Sequence, residues 1–245
     1  MKFIRSLICV FILFIFAIFA FVLNTFVLPI AKMFFDEIEY KYFSSDVIHF
    51  LWGKILLNLL KYSGLTNYNI KNYVELKSIK NKVIVATHPS FIDIVILIGL
   101  IPRTTCFVKQ ELTKNPLLSN IIKSIFISND VEIEELKKES KTMLDLGFNV
   151  VIFPSGTRHR NGEHPKLKKG ASLIAINSHK NIVPVKMYSE GEFMFIHKPI
   201  YDVDKKRVEF YVEKLDEIDV TPFLEMDDIE SKKALTKEIT NSLYN

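Results

Sequence analysis

Residues 82–93, K-V-I-V-A-T-H-P-S-F-I-D, place the tightest constraint on how this chain can fold. The apolar, β-branched run at 83–85 predicts a buried strand. The pattern breaks at His88, and a helix is predicted to begin at Ser90 with Asp93 in its first turn. Open α/β sheets bind ligands beyond the carboxyl ends of their strands, so His88 is expected at a binding edge. An imidazole held there by a carboxylate can take a proton from an alcohol or from water.

Asp93 has a second interpretation that involves no catalysis. Ser90 and Asp93 fit an S-x-x-D capping box, so Asp93 could serve only to satisfy backbone donors at the start of the helix. The spacing is also weak by itself, because His197 and Asp202 repeat it. No apolar strand immediately precedes His197 and no helix signal follows it, so a structural role is predicted there. For His88 the sheet-edge role is favoured, with a structural role as the alternative.

A second informative stretch covers residues 149–170. It opens with the run N-V-V-I-F, another predicted buried strand, and Pro154 and Gly156 predict a turn at its end. Basic side chains follow closely: Arg158, Arg160, Lys166, Lys168 and Lys169. They indicate an anionic ligand, and Arg158, nearest to the strand, is suited to bind a phosphate with two parallel hydrogen bonds. For residues 166–169 a solvated loop or a membrane-surface patch is the favoured interpretation.

Together these stretches resemble the glycerolipid acyltransferase family, which includes the 1-acylglycerol-3-phosphate acyltransferases. Residues 88–93 match its His-x-x-x-x-Asp block, and residues 153–158, F-P-S-G-T-R, match its F-P-E-G-T-R block except at Ser155. The family's second block is similar to K-Q-E-L at 109–112, with Pro116, followed by I-F-I at 125–127. Its fourth block is similar to V-P-V at 183–185. All four stand in the family's order and cover about residues 80–190.

Three positions depart from the family pattern. Thr87 stands where asparagine often precedes the histidine, Asn129 where the family commonly has a phosphate-binding arginine, and Ser155 where it has glutamate. The pair of His88 and Asp93 is intact. The resemblance therefore implies acyl transfer more directly than it implies a particular acceptor.

The resemblance also implies roles for residues in the matched blocks. His88 would take the proton of an acceptor hydroxyl and Asp93 would hold its ring, without metal or cofactor. Ser90 would cap the helix. Substrate-binding residues would be Lys109, Ser155, Gly156, Thr157 and Arg158, with backbone amides around Gly156. The donor would be a thioester, either acyl-acyl carrier protein (acyl-ACP) or acyl-CoA.

Three functions are compatible with these residues. The first is acyl transfer to 1-acylglycerol 3-phosphate, which gives phosphatidic acid for phospholipid synthesis. The second is transfer to another lyso-lipid or an amino-lipid, which Asn129 and Ser155 make credible. The third is a lipid-binding or scaffold protein of the membrane without turnover. The intact residues of the matched blocks argue against it, namely His88, Asp93, Gly156 and Arg158. Nucleic-acid binding is not expected, because the net charge is only +4 and the basic residues lack interleaved aromatics.

The amino-terminal segment predicts membrane attachment. No charged residue lies between Arg5 and Lys32, and a helix of that length measures roughly 39 Å, enough to cross a hydrocarbon core of about 30 Å. Signal peptides have shorter apolar cores, which favours an uncleaved anchor. By the positive-inside rule, Lys2 and Arg5 would keep the amino terminus in the cytosol, so a single crossing would export the domain that follows. The thioester donors, however, are cytosolic. A helix ended or bent at Asn24 or Pro29 could instead dip into one leaflet of the cytoplasmic membrane and leave the catalytic domain in the cytosol, and this arrangement is favoured.

The whole pattern predicts an anchor over residues 1–65 and an acyltransferase domain over residues 66–245. Residues 46–61 predict an amphipathic helix, either at the membrane interface with Trp52 among the headgroups or packed on the domain core. Strands are predicted at 73–76, 83–87, 104–109, 125–128, 149–153, 182–187 and 207–212, and helices at 90–100, 116–123, 132–146, 169–178 and 227–243. This alternation predicts an α/β fold with a mixed, largely parallel sheet flanked by helices. Cys9 and Cys106 indicate neither a disulfide nor a metal site.

Overall fold

The fold is built around one sheet. The computed structural model describes residues 2–88, 90–158, 162–195 and 198–244. The strands are β1 (Thr66–Lys71), β2 (Val83–Ala86), β3 (Thr104–Val108), β4 (Ile127–Ser128), β5 (Asn149–Ile152), β6 (Ile182–Glu190) and β7 (Val208–Lys214). They lie in the order β1-β7-β6-β2-β5-β3-β4, and every neighbouring pair is parallel except β6 with β7. The predicted mixed, largely parallel sheet is confirmed.

Helices cover both faces of the sheet. They are α1 (Lys2–Val22), α2 (Leu28–Phe34), α3 (Glu37–His49), α4 (Leu57–Tyr62), α5 (Tyr73–Ser78), α6 (Asp93–Leu100), α7 (Ser119–Ile125), α8 (Ile133–Asp145), α9 (Gly170–Ser178), α10 (Thr221–Leu224) and α11 (Asp228–Tyr244), with π-helical stretches at Leu23–Val27 and Phe50–Leu56 and a 3₁₀ helix at Gln110–Lys114. Ile84 and Ala86 of β2 pack with α1, α4 and α6, whereas Val83 and Val85 pack with α7, α8, α9 and α11. Burial on both faces explains why the central strands are continuous apolar runs.

The edge of the sheet at β1 differs from the prediction. Residues 73–76, predicted as a strand, belong to α5, and the strand lies just before them with the sequence T-N-Y-N-I-K. Asn67 and Asn69 of this strand both donate to Glu209 of β7, at 2.7 and 3.0 Å. Asn72, with a φ of 60°, lies between the strand and α5. The prediction was wrong because a polar edge strand is stabilised by a neighbour about 140 residues away, which local periodicity does not record.

The first helix is continuous over residues 2–34. By length and composition it could cross a membrane. It does not end at Asn24, which lies in the first π-helical stretch, or at Pro29, which lies in the first turn of α2. Large apolar side chains are exposed along its whole length: Phe3, Leu7, Phe11, Phe14, Ile18, Phe26, Ile30 and Met33.

Two polar side chains hold this first helix along the domain. Near its start, Arg5 Nε donates to the carbonyl of Asp204 at 2.9 Å. In its middle, Asn24 is 2% exposed and donates through Nδ2 to the carbonyl of Pro116 at 2.9 Å. The Oδ1 atom of Asn24 accepts from the Asn120 amide at 2.8 Å. The helix therefore lies beside the domain from its first turns to its middle.

A second continuous helix covers residues 37–62 and includes the predicted amphipathic segment. Trp52 on this helix is half-buried, with its ring centre 6.1 Å from that of Phe126. Gly53 crosses Gly99 of α6 so closely that a Cβ on Gly53 would lie 2.2 Å from the Gly99 carbonyl oxygen. Of the two possibilities for this helix, packing on the domain core describes the structure.

Candidate active site

The carboxyl ends of β2 and β5 meet at one edge of the sheet. The strands are parallel neighbours, with Val85 paired to Ile152. His88 follows β2 and Phe153 follows β5, and their rings stack with centres 3.9 Å apart and planes 16° apart. The two stretches singled out in the sequence therefore meet at the edge where α/β sheets bind ligands.

His88 and Asp93 are in hydrogen-bond contact. His88 Nδ1 lies 3.1 Å from Asp93 Oδ2, and the two side chains are 16% and 0% exposed. The same Oδ2 accepts a 2.6 Å hydrogen bond from the Ser90 amide, so both interpretations of Asp93 correspond to contacts in the structure. With Nδ1–H donating to the carboxylate, the imidazole presents Nε2 as an unprotonated base.

The Ser90 hydroxyl makes a different contact from the predicted helix cap. It donates to the carbonyl of Phe193 at 2.5 Å, whereas its contact with the Ile92 amide is long at 3.4 Å. The helix α6 begins only at Asp93. Ser90 also forms an antiparallel bridge with Phe195. These contacts tie the start of the helix to the segment that follows β6.

The Asp93 carboxyl is fully desolvated. Burial raises its pKa above the usual range, and the hydrogen bond and charge of His88, the Ser90 amide and the charge of Arg158 act in the opposite direction. The other carboxyl oxygen, Oδ1, has no hydrogen-bond partner among the residues that the structure describes. A buried carboxylate of this kind is stabilised by a positive neighbour, and protonation of His88 would create one.

The turn after β5 uses its own polar groups internally. Gly156 has a φ of +73°, a left-handed conformation that favours glycine. Its amide donates to the Phe153 carbonyl at 2.9 Å, and Ser155 Oγ donates to the Thr157 carbonyl at 2.8 Å. Thr157 itself is exposed. In this conformation the Gly156 amide and the Ser155 hydroxyl are already used, so the cations nearby are the better phosphate donors.

Three positive side chains lie around this turn and the adjoining strand ends. Arg158 is half-buried, and its Nη1 lies 3.4 Å from the carbonyl oxygen of Met194. Lys109 follows β3, is exposed and lines the same cavity as Gly156. Lys168 is exposed, as expected for a solvated loop, but its side chain folds over Gly156. These contacts bring Lys168 into the candidate site, where the sequence did not predict it.

Two other residues considered in the sequence lie outside the described residues, namely Arg160 and His197. Asp202, the second member of the repeated spacing, forms an ion pair with Lys2 at 2.5 Å. Within the described ranges, no group of three or more His, Cys, Asp or Glu side chains is gathered in a way that could hold a metal ion.

An apolar cavity of about 610 Å³ adjoins His88. Helices and strand ends both contribute to its lining, which includes Phe16, Ala20, Leu23, Ile48, Leu51, Trp52, Cys106, Phe126 and Phe153, with the polar Lys109, Asn129 and Gly156. Burial raises the pKa of Cys106 to about 12 and keeps this thiol neutral. The sequence did not predict the cavity, because apolar residues at helical spacing indicate burial without telling whether they enclose a void.

Sequence comparison assigns this site to a family. A family model described as acyltransferase matches residues 67–188, which contain His88, Asp93 and the turn at 153–158. The chain belongs to the acyltransferase family. The resemblance inferred from the four blocks is thereby confirmed.

Members of this acyltransferase family resemble the chain over part of their length. A 1-acyl-sn-glycerol-3-phosphate acyltransferase of Cocos nucifera is 31% identical over 108 residues, which cover 41% of this chain and 35% of that protein. One of Helicobacter pylori is 32% identical over 126 residues, which cover 49% of this chain and 53% of that protein. The chain thus spans about a third to a half of the length of the curated relatives it matches.

A solved acyltransferase structure shares the fold. The 1-acyl-sn-glycerophosphate acyltransferase PlsC from Thermotoga maritima superposes with a TM-score of 0.75, covering 98% of this chain and 95% of that one. The sequences are 18% identical, so the likeness concerns the fold. It extends beyond the residues that the family model matches and includes the amino-terminal helices.

Proposed function

We propose that this protein is a membrane-bound O-acyltransferase that moves an acyl chain from an acyl thioester to the hydroxyl of 1-acylglycerol 3-phosphate, giving phosphatidic acid. One observation carries the proposal: His88, held by the buried Asp93, adjoins a cavity with an apolar lining. A base beside an apolar cavity fits the transfer of a long acyl chain to an alcohol. The names of the relatives point to the same acceptor.

The proposed mechanism uses His88 as a general base. Its Nε2 takes the proton of the acceptor hydroxyl while that oxygen attacks the thioester carbonyl. Asp93 fixes the tautomer and stabilises the imidazolium that forms. The tetrahedral intermediate then expels the thiolate, the C–S bond breaks, and the imidazolium returns the proton to the sulfur. No serine needs to be acylated, because the acceptor alcohol is itself the nucleophile.

The apolar cavity is proposed to hold the acyl chain of the donor. Each methylene transferred there from water contributes about 0.8 kcal/mol, so a long chain gains affinity from burial alone. Phe16, Ala20 and Leu23 bring the first helix into this lining, which would join membrane attachment to substrate binding. Acyl-ACP and acyl-CoA both supply such a thioester, and the cavity does not discriminate between them because their acyl chains are the same.

Acceptor binding is proposed to involve Arg158 and Lys109, with Ser155, Gly156 and Thr157 shaping the turn. A second acceptor class has its own support, since Asn129 is neutral and exposed at the cavity where the family commonly has an arginine. Another lyso-lipid or an amino-lipid would need less positive charge there. Both acceptor classes use the same base and the same donor cavity.

Residues 1–65 are proposed to anchor the protein in one leaflet, with the acyltransferase domain of residues 66–245 on the cytosolic side. Arg5 and Asn24 are about 28 Å apart along the first helix, and both bind the same domain. A helix that crossed the bilayer between them would separate one of these side chains from its partner. The exposed apolar side chains along the helix suit immersion in a single leaflet instead.

Labelling of single cysteines tests this topology. Cysteines at Phe3 and Phe34, which are 74% and 78% exposed, sample the two ends of the helix. In sealed vesicles whose cytosolic face is inside, an impermeant maleimide added outside should label neither position. Labelling of either one from the side opposite to the domain would show that the helix crosses.

Acyl transfer by the purified, detergent-solubilised protein tests the function. The assay supplies an acyl thioester and either 1-acylglycerol 3-phosphate or other lyso-lipids, and it compares His88→Ala with the matched control His164→Ala. His164 is exposed and stacks on Tyr244. We expect a rate loss of about 10²–10⁴-fold for His88→Ala only. A folded His88→Ala protein with wild-type turnover would disprove the base assignment.

The acceptor panel and a growth assay separate the remaining candidates. Transfer to another acceptor alone would replace the first function by the second. Rescue of a strain that lacks 1-acylglycerol-3-phosphate acyltransferase would support the first function. Loss of that rescue in Asp93→Ala would rule out a scaffold without turnover.

A further inference from the structure

Lys168 occupies a defined place against the turn at Gly156. A Cβ added to Gly156 would lie 2.6 Å from Lys168 Nζ and 2.8 Å from its Cε. The Lys168 amide also donates to the Pro154 carbonyl at 2.7 Å. The preceding residue, Leu167, is 7% exposed and fixes the backbone. The Lys168 backbone is thus held by a hydrogen bond, and its side chain lies over Gly156.

Lys168 and Arg158 make no direct contact with a carboxylate among the described residues, although the charge of Arg158 also acts on the buried Asp93. Among the described residues neither side chain forms an ion pair. Arg158 ends this turn and the Lys168 side chain lies over Gly156 within it, so the two cations are suited to share an anion.

We propose that Lys168 binds the phosphate monoester of the lipid acceptor, as a second cation beside Arg158. This inference rests on the proposed function. A phosphate monoester carries about −1.5 to −2 charges at pH 7 and offers three acceptor oxygens, more than one guanidinium can neutralise. Arg158 would supply the two-pronged contact and Lys168 a point charge. Lys168 would thereby replace the positive charge that the chain lacks at Asn129.

The proposal also gives Gly156 a second reason to be glycine. Its φ of +73° favours glycine, and any side chain would occupy the volume now filled by the end of Lys168. A larger residue at this position would therefore move the ammonium group away from the turn.

The thioester donors also carry phosphate groups, so the source of the anion has to be distinguished. The acceptor is favoured because Gly156, beneath the ammonium group, lines the same cavity as His88. The hydroxyl that His88 deprotonates belongs to the acceptor, and a glycerol 3-phosphate unit holds its phosphate within a few bonds of that hydroxyl.

Three variants test the proposal: Lys168→Met, Lys168→Arg and the matched control Lys169→Met. Lys169 is the adjacent, exposed lysine at the start of α9. At saturating thioester, we expect Lys168→Met to raise the KM for 1-acylglycerol 3-phosphate about 10- to 100-fold with little change in kcat. The arginine variant should recover most of this loss, and the control should resemble the wild type. The KM for the thioester and the kinetics with 1-acylglycerol, which lacks the phosphate, should not change.

Equilibrium binding of radiolabelled 1-acylglycerol 3-phosphate keeps this test independent of turnover. If the wild type binds this lipid without acylating it, the proposed function fails, and the inference about Lys168 is then decided by binding alone. Weaker binding by Lys168→Met than by Lys169→Met would support it. Equal binding by the two variants, no binding by the wild type, or an altered KM for the thioester would overturn it. Thermal unfolding checks that the variants are folded.

Discussion

The Asp93→Asn variant should separate catalysis from folding, because one carboxylate oxygen serves both. Asp93 Oδ2 accepts from the Ser90 amide at 2.6 Å and from His88 Nδ1 at 3.1 Å. Asparagine has nearly the same shape and can still accept from the amide. It carries no charge to stabilise an imidazolium, and a flipped amide would donate to His88 and favour the wrong tautomer.

The structure leads to different magnitudes for the two effects. Loss of general-base assistance should lower kcat about 10²–10⁴-fold, which corresponds to about 3–5 kcal/mol of activation free energy. The free energy of unfolding should change by only about 1–2 kcal/mol, because asparagine keeps an acceptor for the Ser90 amide while a desolvated charge is removed.

The pH dependence of stability has a defined sign. Burial raises the pKa of Asp93, so the folded state binds its proton more tightly than the unfolded state does. Relative to Asp93→Asn, the wild type is therefore most stable below about pH 4, the ordinary range of an Asp carboxyl, and loses this advantage as the pH rises. Thermal unfolding of both proteins between pH 4 and pH 8 measures this difference.

The control for Asp93→Asn is Asp219→Asn. Asp219 accepts from the Thr221 amide at 3.0 Å, so it too makes a carboxylate-to-amide hydrogen bond, but on an exposed surface. We expect a small loss of stability there and unchanged acyl transfer. Wild-type turnover in folded Asp93→Asn would refute the reasoning, as would an equal loss of activity in both variants.

Three further predictions concern packing and reactivity. Gly99→Ala would bring a Cβ 2.7 Å from the Gly53 Cα and should lower the free energy of unfolding, measured in urea, by about 1–3 kcal/mol. The control Gly170→Ala has open space at its Cβ and should cause no such loss. Equal effects of the two substitutions would contradict this prediction. Asn24→Leu should lower the free energy of unfolding by about 1–3 kcal/mol, because it leaves the Pro116 carbonyl and the Asn120 amide without their partner. Proteolysis at residues 109–118 should become faster. An unchanged cleavage pattern would argue against this prediction. Burial raises the pKa of Cys106 to about 12, so at pH 8 this thiol should react with iodoacetamide far more slowly in the folded protein than in the denatured chain. The reaction should become faster as the pH rises. Rapid labelling of the folded protein at pH 8 would contradict this prediction.

Local sequence was sufficient for the central strands and for the contact between His88 and Asp93. The strands β2 and β5 were predictable because strands buried on both faces are continuous apolar runs. His88 and Asp93 are five residues apart, so a strand end and one helical turn bring them together. Edge strand β1 was missed because Asn67 and Asn69 resemble loop residues until Glu209 of β7 lies beside them.

The sequence by itself determined the α/β architecture, the family and the pairing of His88 with Asp93. Only the tertiary structure decided that the first helix lies along the domain, that an apolar cavity adjoins His88 and that Lys168 lies over Gly156. Periodicity reports which side chains are buried, whereas a cavity or a cation over a turn depends on which distant surfaces meet. Those meetings follow from how helices and strands pack together, and no short stretch of sequence contains that information.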